Sequence, residues 1–298
     1  MTAIYNTRNE DILKYVLNFF PRALFDEITR TCNIGGKKVI TVNEIRLRLC
    51  APCSIVVGGN ILPLYTRLSS GDIDKVYMKI CKDTPFALRE YIINGYVPLE
   101  YGVRVGVGGE ARYESGAIVG VSGISVLVFR LPGIECTFAE ELYREWEKNG
   151  LGNMLVCSPP AVGKTTVLRT LVRLLSRDRR DKNIVVVDER CEFYSRDYLD
   201  CNVDILSGYK RQRGLDIAIR TMSAHYVVVD EIGRMDECEA VVSAYGCGVG
   251  ILASAHGESL EEIKRRECLR ELMRIGVFSL VAIVSRHENN YSYRIYKV

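Results

Sequence analysis

The sequence predicts an α/β protein in which a smaller α+β domain precedes a larger domain with a mainly parallel β-sheet. Beyond about residue 150, runs of Val, Ile and Leu alternate with helical patterns. Such near-continuous apolar runs are typical of parallel strands covered by helices on both faces. The earlier part instead mixes helical spacing with alternating apolar and polar residues. We therefore expect an N-terminal α+β domain over residues 1–135, a linker over 136–150 and the sheet domain over 151–298.

The predicted N-terminal domain contains helical and strand patterns in succession. EDILKYVLNFFPRALFDEIT has apolar residues at helical spacing and a break near Pro21, which predicts a helical hairpin. NEIRLRLCAPCSIVV predicts strands around a proline turn, and DTPFALREYIINGYV predicts a helix that ends at Gly95. The Gly- and Val-rich segment VPLEYGVRVGVGGEARYESGAIVGVSGISVLVFRL predicts a β-meander. LPGIECTFAEELYREWEKNG is more polar, and we place the domain boundary there.

The predicted sheet domain has four strands, each followed by a polar segment. Their sequences are NMLVCS, NIVVVD, YVVVDE and VGILASA. Ligands of open parallel sheets bind outside the carboxyl ends of the strands. The polar residues that follow these four strands are therefore the candidate site.

Composition excludes several classes of protein. Apolar residues make up 48% of the chain and charged residues 26%, as in globular domains. The net charge of +3 gives no global field that demands nucleic acid or an anionic membrane. No apolar run approaches the roughly 18 residues of a transmembrane helix, and the N-terminal segment lacks a signal-peptide pattern. The 11 scattered cysteines predict free thiols and a cytoplasmic location.

A phosphate-binding loop is predicted directly after the first strand. SPPAVGKT meets the pattern G-x-x-x-x-G-K-[ST], except that Ser158 replaces the first glycine. Inward-pointing amides and the following helix would hold the phosphates, Lys164 would reach the β- and γ-phosphates, and Thr165 would bind Mg²⁺. The candidate nucleotide-binding residues are Ser158, Pro159, Pro160, Ala161, Val162, Gly163, Lys164, Thr165 and Thr166.

Ser158 raises a conformational question. If its position required a left-handed backbone, serine would cost roughly 1–2 kcal/mol relative to glycine. Pro159 and Pro160 restrict the unfolded chain and partly offset such a cost.

Acidic residues follow two of the predicted strands. In YVVVDEIG, Asp230 is predicted to hold Mg²⁺ through water, and Glu231 to orient or deprotonate the attacking water. NIVVVDERCEF carries Asp188, Glu189 and Glu192, and either Glu189 or Glu192 competes with Glu231 for that role. The sequence does not choose between them, and a structural ion pair with the intervening arginine is the alternative for the second group.

Two further residues are candidates because of their positions. Arg220 ends a helical pattern before the YVVVDE strand and could either sense the γ-phosphate or pair with acids. His256 follows the strand VGILASA, where it could report the nucleotide state to a neighbour. A purely structural role is the alternative for both.

These motifs together resemble a known superfamily. In order, SPPAVGKTTVLR, VVVDERCEF, AIRTMSAHYVVVDEIG and ILASAHGES resemble the four boxes of the traffic ATPases that drive secretion systems and pili. The forms DERCE and IRTMSAHYVVVDEIG, with NEIRLRLCAPC and GYVPLEYGVRVGVGGEA in the first half, are closer still to the stage III sporulation branch of that superfamily. Ser158 and Ala161 depart from it, since its loop usually has glycines there.

The resemblance implies a RecA-like P-loop NTPase that uses ATP and Mg²⁺ and assembles as a hexamer. It would act in the mother cell of an endospore-forming bacterium, peripheral to the membrane through integral membrane partners of a channel or secretion complex. In such motors, arginines of one N-terminal domain approach the nucleotide of the next subunit. Arg104, Arg112 and Arg130 are the candidates for this role in trans.

Three functions remain open from the sequence. The leading one is an ATP-hydrolysing oligomeric motor. The second is a nucleotide-binding assembly scaffold with little turnover. The third is a nucleic-acid-dependent ATPase, suggested by the basic segments SRDRRDK and KRRECLRELMR. Acids interleave with these basic residues, which is typical of a solvated helix face, so we expect no nucleic acid partner.

Overall fold

The computed structural model describes residues 2–36, 40–132, 138–160, 162–193, 198, 201–287 and 290–298. The chain forms two compact units, Met1–Ile134 and Glu135–Val298.

The first unit combines helices with an antiparallel sheet. Its described helices are α1 (Thr2–Leu17), α2 (Arg22–Thr31), α3 (Ser70–Ile80) and α4 (Arg89–Ile93). Its described strands are β1 (Glu44–Arg48), β2 (Pro52–Val57), β3 (Asn60–Arg67), β4 (Tyr96–Pro98), β5 (Arg104–Glu114) and β6 (Ala117–Arg130). Their order across the sheet is β3-β2-β1-β6-β5-β4, and neighbouring strands run antiparallel.

Burial in this unit follows the period of each element. Ile45 and Leu47 of β1 are fully buried and alternate with partly exposed charged residues, as expected for one solvated face. Leu24 and Ile28 face the same core from α2, one helical turn apart. Glu27 of α2 accepts backbone N–H bonds from β3, so the helix satisfies part of that edge strand. The predicted α+β domain is thus observed.

The second unit is built on a larger sheet. Its described helices are α5 (Phe138–Lys148), α6 (Lys164–Asp178), α7 (Arg211–Thr221), α8 (Met235–Gly246), α9 (Leu260–Arg265) and α10 (Glu267–Arg274). Its described strands are β7 (Met154–Ser158), β8 (Ile184–Asp188), β9 (Val203–Ser207), β10 (Tyr226–Val229), β11 (Gly250–His256), β12 (Leu280–His287) and β13 (Asn290–Lys297). The order is β13-β12-β7-β11-β10-β8-β9.

The mainly parallel sheet confirms the predicted fold class. Strands β12, β7, β11, β10, β8 and β9 are parallel to their neighbours, and only the β12–β13 pairing is antiparallel within the described part. The four predicted strands correspond to β7, β8, β10 and β11. In β8, Val185 and Val187 belong to one buried cluster and Ile184 and Val186 to the other, so apolar side chains are needed on both faces.

The segment expected to be a linker contains α5. Ala139, Leu142, Tyr143 and Trp146 lie on one side of this helix and are buried in a core cluster of the second unit. Trp146 Nε1 also donates a hydrogen bond to the carbonyl of Gly152 at 2.6 Å. The polar residues that suggested a linker alternate with this buried face, so this part of 136–150 is a packed helix of the second unit.

One cysteine pair departs from the expected free thiols. Cys238 of α8 and Cys268 of α10 form a disulfide with their Cα atoms 6.0 Å apart. The described cysteines that remain free thiols include Cys32, Cys50, Cys53, Cys81, Cys157, Cys201 and Cys247. Within the described ranges, none of the helices combines the length and the apolar character that a membrane span requires.

Candidate functional site

The loop after β7 is positioned by a buried strand and a helix. All five residues of β7 are buried, which fixes the point where the loop begins. Gly163 has φ 98° and ψ 27°, a left-handed conformation that glycine adopts without steric cost, and α6 starts at the next residue. The loop therefore meets the positive end of a helix dipole, where anions are stabilised.

Ser158 does not occupy a left-handed position. It is the last residue of β7, lies opposite His256 in the register with β11, and is fully buried. Its Oγ donates to the carbonyl of Pro159 at 2.8 Å. The cost considered for a left-handed serine therefore does not arise. Ala161 lies outside the described residues.

The remaining loop residues take different positions. Pro159 and Pro160 follow the strand, and Val162 packs partly against the core. Thr166 is 9% exposed on the first turn of α6, and its hydroxyl accepts a hydrogen bond from Arg169 at 3.3 Å. Thr166 thus faces a side chain of its own helix.

Lys164, the first residue of α6, contacts strand β11. Its Nζ lies 2.8 Å from Nδ1 of His256, and the lysine is 8% exposed. Burial lowers the pKa of Lys164, while the carboxylates of Asp230 and Glu231 oppose that shift. A buried cationic group at the start of α6 suits an anionic ligand, because the anion would stabilise a charge that burial has removed from water.

Thr165 and Asp230 form the second contact across the site. The hydroxyl of Thr165 donates to Asp230 Oδ2 at 2.7 Å, and Ser254 of β11 donates to the other carboxylate oxygen. Hydroxyl and carboxylate oxygens are ligands that Mg²⁺ prefers in proteins. The pair therefore fits a magnesium ion between the loop and the end of β10.

Glu231 is held in a strained turn between two basic groups. Its φ of 64° is left-handed, which is unfavourable for a residue with a side chain. Its backbone N–H donates to the Ser254 hydroxyl at 2.8 Å. Its two carboxylate oxygens lie 2.6 Å from Arg190 Nη1 and 3.3 Å from His256 Nε2. The turn directs this carboxylate toward Lys164 and His256 instead of away from the sheet edge.

The acids after β8 have different partners. Asp188 is 1% exposed and accepts backbone N–H bonds from Glu192 at 2.9 Å and Phe193 at 2.8 Å. Burial raises the pKa of Asp188 to about 7, although these two hydrogen bonds oppose the shift. Glu189 forms an ion pair with Arg211. Asp188 thus shapes the loop, and Glu189 faces α7.

Arg211 and Ser254 were missed by the sequence reasoning. Arg211 is 8% exposed, donates from Nε to the carbonyl of Asp230 at 2.6 Å, and pairs with both Glu189 and Glu237. It therefore joins the end of β10 to the loop after β8 and to α8. The signal for Ser254 was a polar residue inside the apolar run ILASA, whereas the run KRQRG gives no sign that one arginine is buried.

Arg220 is not brought to this group, and the three other predicted arginines belong to the first unit. Arg220 is on the exposed side of α7, where it pairs with Asp216, and α7 ends just before the amino end of β10. Arg104 belongs to the first unit, where it begins β5 and its guanidinium lies 4.4 Å from the centroid of Tyr96. Arg130 is opposite Arg104 in the β5–β6 register, and Arg112 is exposed further along β5.

Comparison with known proteins agrees with this architecture. The family described as "Sporulation stage III, protein AA" matches residues 21–296. Stage III sporulation protein AA of Bacillus subtilis is 30% identical over 262 residues, covering 85% of this chain and 85% of that protein.

Two solved structures share the fold at low identity. The ATPase DotB of Legionella pneumophila has a TM-score of 0.64 and 13% identity, covering 93% of this chain and 81% of its own. The pilus retraction motor PilT, solved with bound ADP, has a TM-score of 0.64 and 16% identity, covering 91% and 82%. The chain thus has the RecA-like fold of the secretion ATPases.

Proposed function

This chain belongs to the sporulation stage III protein AA family, and from that premise we propose that it is an ATP-hydrolysing oligomeric motor of the secretion-ATPase type. Its action would energise or gate a membrane-spanning transport complex between mother cell and forespore. The observation that carries the proposal is the 2.7 Å contact between Thr165 and Asp230. It joins a phosphate-type loop to an acidic strand end, which is the pairing that Mg²⁺ and a nucleoside triphosphate require.

Nucleotide binding would replace contacts within the chain by contacts to the phosphates and to Mg²⁺. The amides at the start of α6 and the cation of Lys164 would bind the β- and γ-phosphates. The Nζ of Lys164 is within hydrogen-bond distance of the His256 ring. Binding of the phosphates would replace this contact. Thr165 and Asp230 would hold Mg²⁺, which would neutralise charge that develops on the phosphates during transfer to water.

Glu231 is our choice for the residue that orients or deprotonates the attacking water. It lies beside the Mg²⁺-binding Asp230, and its carboxylate reaches the His256 ring that also contacts Lys164. Glu189 is engaged by the buried Arg211, and Glu192 is linked to Asp188 through its backbone N–H. The ion pair with Arg211 favours a structural role for Glu189.

Assembly would complete the site. We place Arg104, Arg112 and Arg130 of one subunit as candidates to approach the nucleotide of the next, and the hexamer is the assembly that this implies. Arg104 and Arg130 support the idea because they are directly opposite in the β5–β6 register. Side by side, the two guanidinium groups would present positive charge to the phosphates of a neighbouring subunit.

A location peripheral to the mother-cell membrane follows from this proposal. The chain would attach through integral membrane proteins of the complex that it drives, and it would work in the cytoplasm.

ATP turnover by the purified full chain, with mass measured at the same concentrations, tests the proposal. We expect turnover per subunit to rise as oligomers form and to be lost in Lys164→Ala. Nucleotide binding without turnover at any degree of assembly would instead favour the assembly scaffold. Turnover that rises only with single-stranded DNA would favour a nucleic-acid-dependent ATPase.

A further inference from the structure

A row of aromatic rings lies in the second unit beside α5. Phe138 stacks on Tyr291 with ring centroids 5.3 Å apart and planes at 14°, and on Tyr293 at 6.3 Å and 25°. Phe138 and Tyr293 pack partly against the core, whereas Tyr291 is 37% exposed. The row therefore runs from the core into solvent, and Tyr291 is at its exposed end.

Tyr291 lies next to the phosphate-type loop. Its hydroxyl is 3.9 Å from the position that a Cβ would take on Gly163. Strand β12 places it there. Ile283 of β12 is opposite Cys157 near the end of β7, while the pairing with β13 continues beyond Ile283 and places Arg286 opposite Tyr291. The β12–β13 hairpin thus extends past the end of β7 and along one side of the loop.

The other side of the loop is where phosphate chemistry would occur. Lys164 and Thr165 contact His256 of β11 and Asp230 at the end of β10. These strands lie on the opposite side of β7 from β12 and β13. A nucleotide whose terminal phosphate points toward Asp230 therefore has its nucleoside directed toward the hairpin.

Resting on the proposed nucleotide binding, we propose that Tyr291 forms the base subsite of this site. The planar base of a nucleoside di- or triphosphate packs against the exposed end of the aromatic row. Arg286 adds a planar cationic group, with its guanidinium carbon 5.3 Å from the centroid of Tyr291. Aromatic rings and guanidinium groups both stack on bases with little dependence on sequence or base identity.

Calorimetry on the full chain with Mg²⁺ present, using ADP and inorganic tripolyphosphate as separate probes, tests this subsite. Loss of one base-stacking contact corresponds to about tenfold weaker binding. Tyr291→Ala is therefore expected to weaken the binding of ADP by that factor. Its affinity for tripolyphosphate should equal that of the wild type. Tyr291→Phe keeps the ring and should keep ADP binding. The matched control is Tyr245→Ala, since Tyr245 is 41% exposed at the end of α8 that leads into the amino end of β11. The loop follows the carboxyl end of the parallel strand β7, at the other edge of the sheet.

Three outcomes contradict the subsite, and they differ from one another. Unchanged ADP affinity in Tyr291→Ala removes it. Equal weakening of ADP and tripolyphosphate shows that Tyr291 supports the loop and does not contact the base. A wild-type chain that binds neither probe overturns the proposed function, and the subsite with it, whereas in the first two outcomes the wild type still binds both probes.

Discussion

Arg190 and Glu231 form an ion pair across the edge of the parallel sheet, with Arg190 Nη1 2.6 Å from Glu231 Oε2. Arg190 follows β8 and Glu231 follows β10, two strands that are direct neighbours. The pairing joins two acidic segments that the sequence could only treat as competitors. It also holds the Glu231 carboxylate in place beside His256, since the arginine fixes one oxygen and the histidine contacts the other.

Replacing Glu231 by glutamine separates chemistry from binding. Glu231→Gln keeps the size of the side chain and removes its ability to take a proton. Since a general base contributes about 10²–10⁴-fold, we expect ATP turnover to fall by that range while ATP affinity is retained. Glu189→Gln is the matched control, because it alters an acid that pairs with Arg211. A larger loss of turnover in Glu189→Gln would reassign the role.

The phosphate-loop pattern has glycine at positions 158 and 163, but only position 163 has a backbone conformation that requires glycine. Ser158→Gly should leave nucleotide affinity unchanged, because Ser158 is the extended last residue of β7. Gly163→Ala should weaken it, because an alanine at φ 98° costs about 1–2 kcal/mol of backbone strain. Titration of both variants with ADP measures the difference. Tighter binding by Ser158→Gly would show that the missing glycine limits the loop.

Asp188 makes the stability of the second unit depend on pH. Its pKa rises from 3.8 to about 7 on folding, so the folded chain retains a proton that the unfolded chain releases. The free energy of unfolding should therefore decrease as pH rises through that interval, and Asp188→Asn should remove this decrease. Denaturant midpoints at about pH 4 and about pH 8 measure it in both proteins.

An exposed acid provides the reference for that comparison. Asp204→Asn changes a side chain on the exposed side of β9 and should reproduce the pH dependence of the wild type. The account of Asp188 would be wrong if its variant and the wild type lost the same stability over this interval.

Close packing of α7 on the sheet requires a glycine. A Cβ on Gly214 would lie 2.4 Å from Cγ1 of Val187, a buried side chain of β8. Overpacking of this kind costs about 1–3 kcal/mol, so Gly214→Ala should lower the free energy of unfolding by that amount. Gly246→Ala is the control, since nothing lies within 4 Å of its added Cβ. Equal stability of the two variants in denaturant titrations would contradict this packing.

The sequence predicted the parts of the fold that are encoded locally. The valine runs of β8 and β10 are buried on both faces, so their continuous apolar character, between helical patterns, predicted parallel strands. Strand β13 was missed because NYSYRIYK is polar and aromatic, and its pairing with β12 gives no local signal. Helix α5 was mistaken for a linker region because its charged residues outnumber the apolar side chains that it buries.

The sequence predicts which residues of the candidate site stand at strand ends, but not the side-chain contacts that join them. The loop and the acids stand at strand ends, and topology brings them to one edge. The contacts of Arg211 and Arg190 depend on which strands are neighbours, and the order β11-β10-β8 is not contained in any single segment. Arg220 is a candidate from the sequence because it precedes β10. The end of a helix that leads into a strand, however, lies at the amino end of that strand, and the site lies at the carboxyl ends.

Association of Mg·ATP with the folded full chain, measured by calorimetry beside Lys164→Ala, tests the central claim most directly. We expect the wild type to bind. The variant loses a charge-assisted contact of about 1.5–3 kcal/mol and should bind roughly 10- to 150-fold more weakly. A well-folded wild-type chain that takes up neither ATP nor ADP would contradict the account.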